Sequence, residues 1–162
     1  MCINILLFSC NKEIQNNGTD SFPSTSYPFR IAAIDFGTVR IGIAITDPSR
    51  NFASPLENYN RSDLRGDELR FQRLVEEEDI VGFVVGLPIN TDGLETPKSR
   101  EARAFGDWLS EVTQIHVVYH DERFSTSMAH ELMIAANVKA SKRKKHLDMI
   151  AAQQILQSYL SQ

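Results

Sequence analysis

Apolar positions divide the chain into short hydrophobic runs and longer amphipathic stretches. Ile31-Ala32-Ala33-Ile34 leads straight into Asp35-Phe36-Gly37-Thr38, which predicts a buried strand stopped at a glycine turn. Arg40 to Asp47 follows at once with branched residues at 41, 43 and 45. That period of two predicts a second strand, and the tight link predicts a hairpin with the first. Phe52 to Tyr59 predicts a third strand, and Pro55 within it assigns the strand to a sheet edge. From Ser62 the spacing changes. Leu64, Leu69, Phe71, Leu74 and Val75 lie among charges as on an amphipathic helix, with Ser62 as its N-cap. Glu76-Glu77-Glu78-Asp79 closes that helix and reads as a solvated end rather than a metal site.

Ile80 to Gly86 is a continuous apolar run, as in a strand covered on both faces. A helix fits Pro97 to Thr113, with Pro97 suited to its first turn. Ala102, Phe105, Trp108 and Leu109 form its apolar stripe, which assigns Trp108 to the core. Ile115 to His120 predicts a fifth strand. Helices follow over Thr126 to Ala136 and His146 to Leu160, joined by a basic connector from Asn137 to Lys145. Leu147, Ile150, Ala151, Ile155, Leu156, Tyr159 and Leu160 make the inner side of the last helix.

The order is thus β-β-β-α-β-α-β-α-α. Three strands joined by short turns form an antiparallel unit, and two strands reached through helices add in parallel by right-handed crossovers. This is an α/β fold of ribonuclease H-like arrangement: a five-stranded mixed sheet with helices on both faces. The 162 residues, 42% hydrophobic and 23% charged, suit one globular domain that needs neither disulfides nor a structural metal. Residues 11–28 are polar and rich in Asn, Ser, Thr and Pro, too poor in apolar surface to offset their ordering entropy. Residues 1–28 are therefore expected to form a flexible extension, and residues 29–162 the domain. Cys2 and Cys10 both fall in that extension and lack zinc-ligand spacing. No basic residue precedes the short apolar run Ile3 to Phe8, so a secretory signal is not expected. A cytoplasmic protein without membrane contacts is expected.

Acidic residues mark the ends of elements. Asp35 ends the first strand, Asp121 and Glu122 follow the fifth, and Asp148 lies in the first turn predicted for the last helix. In open α/β sheets the working crevice lies beyond the carboxyl ends of the parallel strands. Clustered carboxylates repel one another unless a cation joins them, and oxygen ligands suit Mg²⁺ or Mn²⁺. Two such ions about 4 Å apart can activate a water and stabilise the leaving oxygen of a phosphodiester. Plainer readings compete: Asp148 as an acid favoured by the helix dipole, Asp121 as a cap, Glu122 as a partner of Arg123. Asp92 with Gly93 reads as ordinary turn chemistry.

The net charge of −4 rules out a polybasic glue but not a local basic patch. Lys139, Lys142, Arg143, Lys144 and Lys145 precede Asp148, and Lys98, Arg100 and Arg103 open the helix after the Asp92 loop. Both groups flank the expected crevice, where a polyanionic backbone would meet the carboxylates. Ser125, Thr126 and the amides near them could hold a phosphate.

Four segments carry a family pattern. Ile34-Asp35-Phe36-Gly37-Thr38-Val39-Arg40-Ile41-Gly42-Ile43-Ala44 resembles the opening motif of the YqgF/RuvX family. Val84-Val85-Gly86-Leu87-Pro88-Ile89-Asn90-Thr91-Asp92-Gly93 is similar to its second signature, and His120-Asp121-Glu122-Arg123-Phe124-Ser125-Thr126 to its third. Lys145-His146-Leu147-Asp148-Met149-Ile150-Ala151-Ala152 resembles its C-terminal one. The resemblance implies a fold related to Holliday junction resolvases and a nuclease that trims the 5′ end of precursor small-subunit ribosomal RNA. It implies Asp35, Asp121, Glu122 and Asp148 as metal-binding acids, and Arg40, Arg123 and Thr126 as substrate-binding or site-shaping residues. One departure stands out. Related resolvases end the fourth strand with an acid, whereas this chain has Gly86-Leu87-Pro88, leaving the acid after the fifth strand as the substitute.

Three functions compete. The first is a metal-dependent phosphodiesterase acting on structured RNA or branched DNA, with the ribosome or its precursors as partners and either a monomer or a homodimer as the working unit. The second is an actin-like ATPase or sugar kinase, since Asp35-x-Gly37-Thr38 also resembles that phosphate loop. Such enzymes clasp nucleotide between two domains, which a chain of this length does not supply. The third is a non-catalytic nucleic-acid- or ribosome-binding protein on the same fold.

Overall fold

The computed structural model describes residues 29–89, 94–121 and 140–162, with the side chains of 140–146 outside the description. Its elements are β1 (Arg30–Asp35), β2 (Arg40–Thr46), β3 (Ala53–Asn60), α1 (Leu64–Glu78), β4 (Ile80–Leu87), α2 (Pro97–Thr113), β5 (His116–Asp121) and α3 (Ala140–Leu160). The sheet order is β3-β2-β1-β4-β5. β1, β2 and β3 pair antiparallel, while β4 joins β1 and β5 joins β4 in parallel. This is the mixed sheet the apolar pattern predicts. The expected helix over Thr126 to Ala136 and the expected extension over residues 1–28 lie outside the described residues.

Both faces of the sheet are covered, which is why β1 reads as an unbroken apolar run. On one face Ala32, Ile34, Ile41, Ile43, Phe83, Val85 and Leu87 pack with Phe71 and Leu74 of α1 and Ala102, Phe105 and Leu109 of α2. On the other, Ile31, Ala33, Ala44, Ala53 and Val84 pack with Ala152, Ile155 and Leu156 of α3. The small residues beneath α3 let that helix lie close to the sheet. Trp108 packs edge-on against Phe71 with centroids 6.2 Å apart and against Phe105 at 5.3 Å, as a core residue would.

The local signals hold with shifts of a residue or more. Asp63, not Ser62, caps α1, its carboxylate accepting from the Gly66 amide at 2.8 Å. At the far end the acidic run sits against the negative pole of the helix dipole. It is offset by Arg30 on Glu78 at 2.7 Å and Arg70 on Glu77 at 3.4 Å. Thr96 and Ser99 form a capping box before α2, with Pro97 in its first turn. β3 is an edge strand, and the register shift opposite Ile43 and Ala44 skips Leu56, beside Pro55.

One expectation fails. α3 starts at Ala140, not near His146, so Lys142 to Lys145 belong to the helix rather than to a connector. Asp148 consequently stands more than two turns inside the helix. The dipole acts within the first turn only, so it does not account for an acid at this position. Among the described residues, no helix is long and apolar enough to cross a membrane.

Candidate active site

The site begins at the carboxyl end of β1. Ile34 faces the α1/α2 core and Ala33 faces α3. Strand alternation therefore puts Asp35 on the α3 side. Across the hairpin Asp35 pairs with Gly42 of β2. A Cβ at Gly42 would stand 2.8 Å from the Met149 nitrogen and nearer still to the carbonyl carbon and oxygen of Asp148. The α3 backbone thus rests on β2 at Gly42, and this contact brings Asp148 beside Asp35. Gly37 serves the same hairpin, since a side chain there would enter the Arg40 carbonyl oxygen.

Arg40 is two residues from Gly42 on the same face of β2, and its Nε lies 3.1 Å from Asp148 Oδ2. The contact is an ion pair without hydrogen-bond alignment, and the buried Oδ2 accepts no hydrogen bond among the described residues. Burial, and then the charge of Asp148, push the Asp35 carboxyl up to about 6, with Lys98 pulling the other way. Two acidic groups held this close are costly unless a cation joins them. Mg²⁺ is commonly bound by one or two carboxylates, its own waters and substrate phosphates. A crowded Asp35 and a buried Asp148 oxygen with no hydrogen bond among the described residues fit such an ion.

The other expected site residues divide. Lys98 and Arg100 are exposed at the start of α2, and the Lys98 charge reaches Asp35. Arg103 is engaged instead, 2.5 Å from Glu95 and 4.9 Å above the Tyr119 ring. Asp121 ends β5, two strands along the sheet from Asp35. It pairs with Leu87, which faces the α1/α2 core, so the two acids occupy opposite faces of the sheet. Among the described residues, no group of three or more His, Cys, Asp or Glu could hold a metal ion. Asp92, Glu122, Arg123, Ser125, Thr126 and Lys139 lie outside the described residues, as do the side chains of Lys142, Arg143, Lys144 and Lys145.

Two features carry little signal in the sequence. His120 is buried and faces α3, its Nε2 3.0 Å from Ser158 Oγ and its ring edge-on to Tyr159. Burial pulls its pKa down, opposed by Asp121, so it acts as a neutral tie between β5 and α3. Asp67, wholly buried in the first turn of α1, gathers donors from Tyr59, Arg61 and Ser62. An acid and an arginine on an amphipathic stretch look solvated until the fold closes over them.

Comparison with known proteins agrees with this architecture. A protein of Rhodopirellula baltica named "Putative pre-16S rRNA nuclease" is 43% identical over 141 residues, covering 87% of this chain and 80% of that one. A Rhodobacter capsulatus protein of the same name is 38% identical over 130 residues, covering 80% of this chain and 82% of that one. Thermus thermophilus RuvC in complex with Holliday junction substrate superimposes with a TM-score of 0.51 at 13% identity, over 82% of this chain and 94% of that one. The fowlpox virus resolvase bound to Holliday junction DNA gives 0.50 at 15% identity, over 82% and 97%. At such identities the likeness establishes the ribonuclease H-like fold alone. Residues 29–162 match the family model described as "RuvX: Holliday junction resolvase", and the chain belongs to that family.

Proposed function

We propose that residues 29–162 form a nuclease that hydrolyses phosphodiesters of structured nucleic acid with Mg²⁺ or Mn²⁺ held at Asp35 and Asp148. We take its substrate to be the 5′ end of precursor small-subunit ribosomal RNA. The observation that carries this reading is the seating of Asp148 on Gly42 beside a half-buried Asp35 raised to about 6. A divalent cation there would acidify a water and offset charge developing on the phosphate. Asp35 and Asp148 bind and orient the ion. The Arg40 guanidinium, within reach of the same carboxylate, is suited to a phosphate oxygen. Lys98 and Arg100 receive the adjoining backbone phosphates, and Lys142, Arg143, Lys144 and Lys145 enter as further phosphate contacts from their sequence alone. Glu122, Arg123 and Thr126 enter as candidates from their sequence motif alone, and Asp121, on the far face, is left out of the ion's ligands.

The choice of ribosomal RNA rests on the names of the relatives. Branched DNA is the second reading, favoured by the family model's description. A symmetric junction would suit a homodimer with two sites, whereas trimming an RNA end needs one. Cleavage with Mn²⁺ of a precursor ribosomal RNA 5′ region and of a four-way DNA junction, assayed side by side, separates them. The proposal expects higher kcat/KM on the RNA. Preference for the junction would reverse the assignment, and tight binding of both without cleavage would support a non-catalytic role.

A further inference from the structure

We propose that Arg61, locked in place by Asp67, is a positioning residue that sets the turn between Asp35 and Arg40. The Asp67 carboxylate accepts from Tyr59 Oη at 2.8 Å, from Arg61 Nε at 2.9 Å and from the Ser62 amide at 2.9 Å. A second Arg61 nitrogen lies 2.8 Å from Asp67 Oδ2, which makes the pair two-pronged. Burial, then the bond to Asp67, push the Tyr59 hydroxyl up to about 12, so it stays a donor throughout the neutral range.

Held this way, the Arg61 guanidinium lies 5.5 Å over the Phe36 ring and 5.6 Å over the Phe105 ring. Phe36 in turn stacks on Phe105 at 4.9 Å. The Arg61 amide donates to the Val39 carbonyl at 3.0 Å. Arg61 therefore grips both ends of the four-residue turn: the Phe36 ring with its side chain, the Val39 carbonyl with its backbone. That turn joins the acid at the end of β1 to the arginine at the start of β2. A buried ion pair is a poor source of net stability compared with an apolar replacement, and its best-attested use is to fix one arrangement over others. Only an arginine gives a planar, two-pronged head that also stacks on rings. Its catalytic consequence rests on the nuclease reading; its structural consequence does not.

The test is the double variant Arg61→Met/Asp67→Asn. Asparagine keeps an acceptor for Tyr59 and Ser62, and methionine keeps apolar contact with both rings, so neither charge is left buried alone. Amide hydrogen exchange reads the turn directly. The Arg61 amide should exchange at least about tenfold faster while the β4 amides keep wild-type rates. The Mn²⁺ dissociation constant at Asp35 and Asp148 should rise about tenfold, and kcat should fall by a similar factor with KM unchanged. Arg61→Lys, which keeps the charge but not the fork or the stacking, should not restore either value. Wild-type exchange at Arg61 in the folded double variant would overturn the proposal. So would equal acceleration at Arg61 and in β4, which marks a general brace. If the wild-type protein cleaves nothing, the nuclease reading fails, and the exchange rates still decide this one.

Discussion

Gly42→Ala tests whether a glycine places Asp148 beside Asp35. The added Cβ would lie 2.8 Å from the Met149 nitrogen and closer to the Asp148 carbonyl, whereas ordinary Cβ contacts begin at 3.4 Å. The obstacle is helix backbone, which cannot rotate aside as a side chain can. α3 must therefore retreat from β2 by about 1.5 Å at Asp148. Overpacking of this kind costs about 1–3 kcal/mol, which a domain stable by about 5–15 kcal/mol survives. A misplacement of about 1 Å at a reacting centre can cost about 100-fold in rate. The variant should thus melt a few degrees lower, remain folded, and lose about two orders of magnitude in kcat. Asp35 supplies an independent check. Withdrawing the Asp148 charge removes one of the causes that raise its carboxyl, so its titration, followed by carboxyl NMR, should move below about 6. A folded Gly42→Ala protein with wild-type kcat and an unmoved Asp35 titration would refute the reasoning.

Three further outcomes follow from the same geometry. Arg40→Gln removes the cation paired with Asp148, so calorimetric Mn²⁺ affinity of the substrate-free protein should rise severalfold while nucleic-acid affinity falls; a fall in both would show that Arg40 does not compete with the metal. Because the folded pKa of Asp35 is raised, its stabilising contribution is complete below about 4 and is lost as pH rises through about 6. Without metal, Asp35→Asn should therefore raise Tm at pH 7–8, with the gain vanishing towards pH 4, and a gain independent of pH would contradict the burial of that carboxyl. Replacing Lys142, Arg143, Lys144 and Lys145 by alanine should weaken substrate binding and flatten its salt dependence, whereas an unaltered slope in a salt titration would mark the run as solvated surface only.

The strands were legible because a run such as Ile31 to Ile34 has few uses other than burial between two helical layers. Asp35 stood out for the same reason, as an acid at the end of four buried apolar residues. Its pairing with Asp148 was legible from motif order, but the contact that achieves it is a helix resting on a strand glycine, visible only in three dimensions. The start of α3 is hard to read because Lys142 to Lys145 are four basic residues in succession, a run with no apolar spacing to betray a helix. Ser62 and Asp63 offer nearly equivalent capping chemistry, and the choice falls to whichever side chain meets the free amides. Ser62 instead gives its amide to Asp67. The face of Asp121 followed from register with Leu87, which no local pattern encodes. Arg61 and Asp67 were invisible because their burial depends on β3, α1 and the β1–β2 turn meeting.

If Asp35 and Asp148 together hold a cation needed for RNA cleavage, neither carboxylate can be spared. Single-turnover cleavage of precursor ribosomal RNA with Mn²⁺, alongside calorimetric Mn²⁺ titration, tests it in the wild type and in Asp35→Asn and Asp148→Asn. The account predicts that each substitution abolishes both Mn²⁺ binding and cleavage while the protein stays folded. Wild-type cleavage by either variant would contradict it.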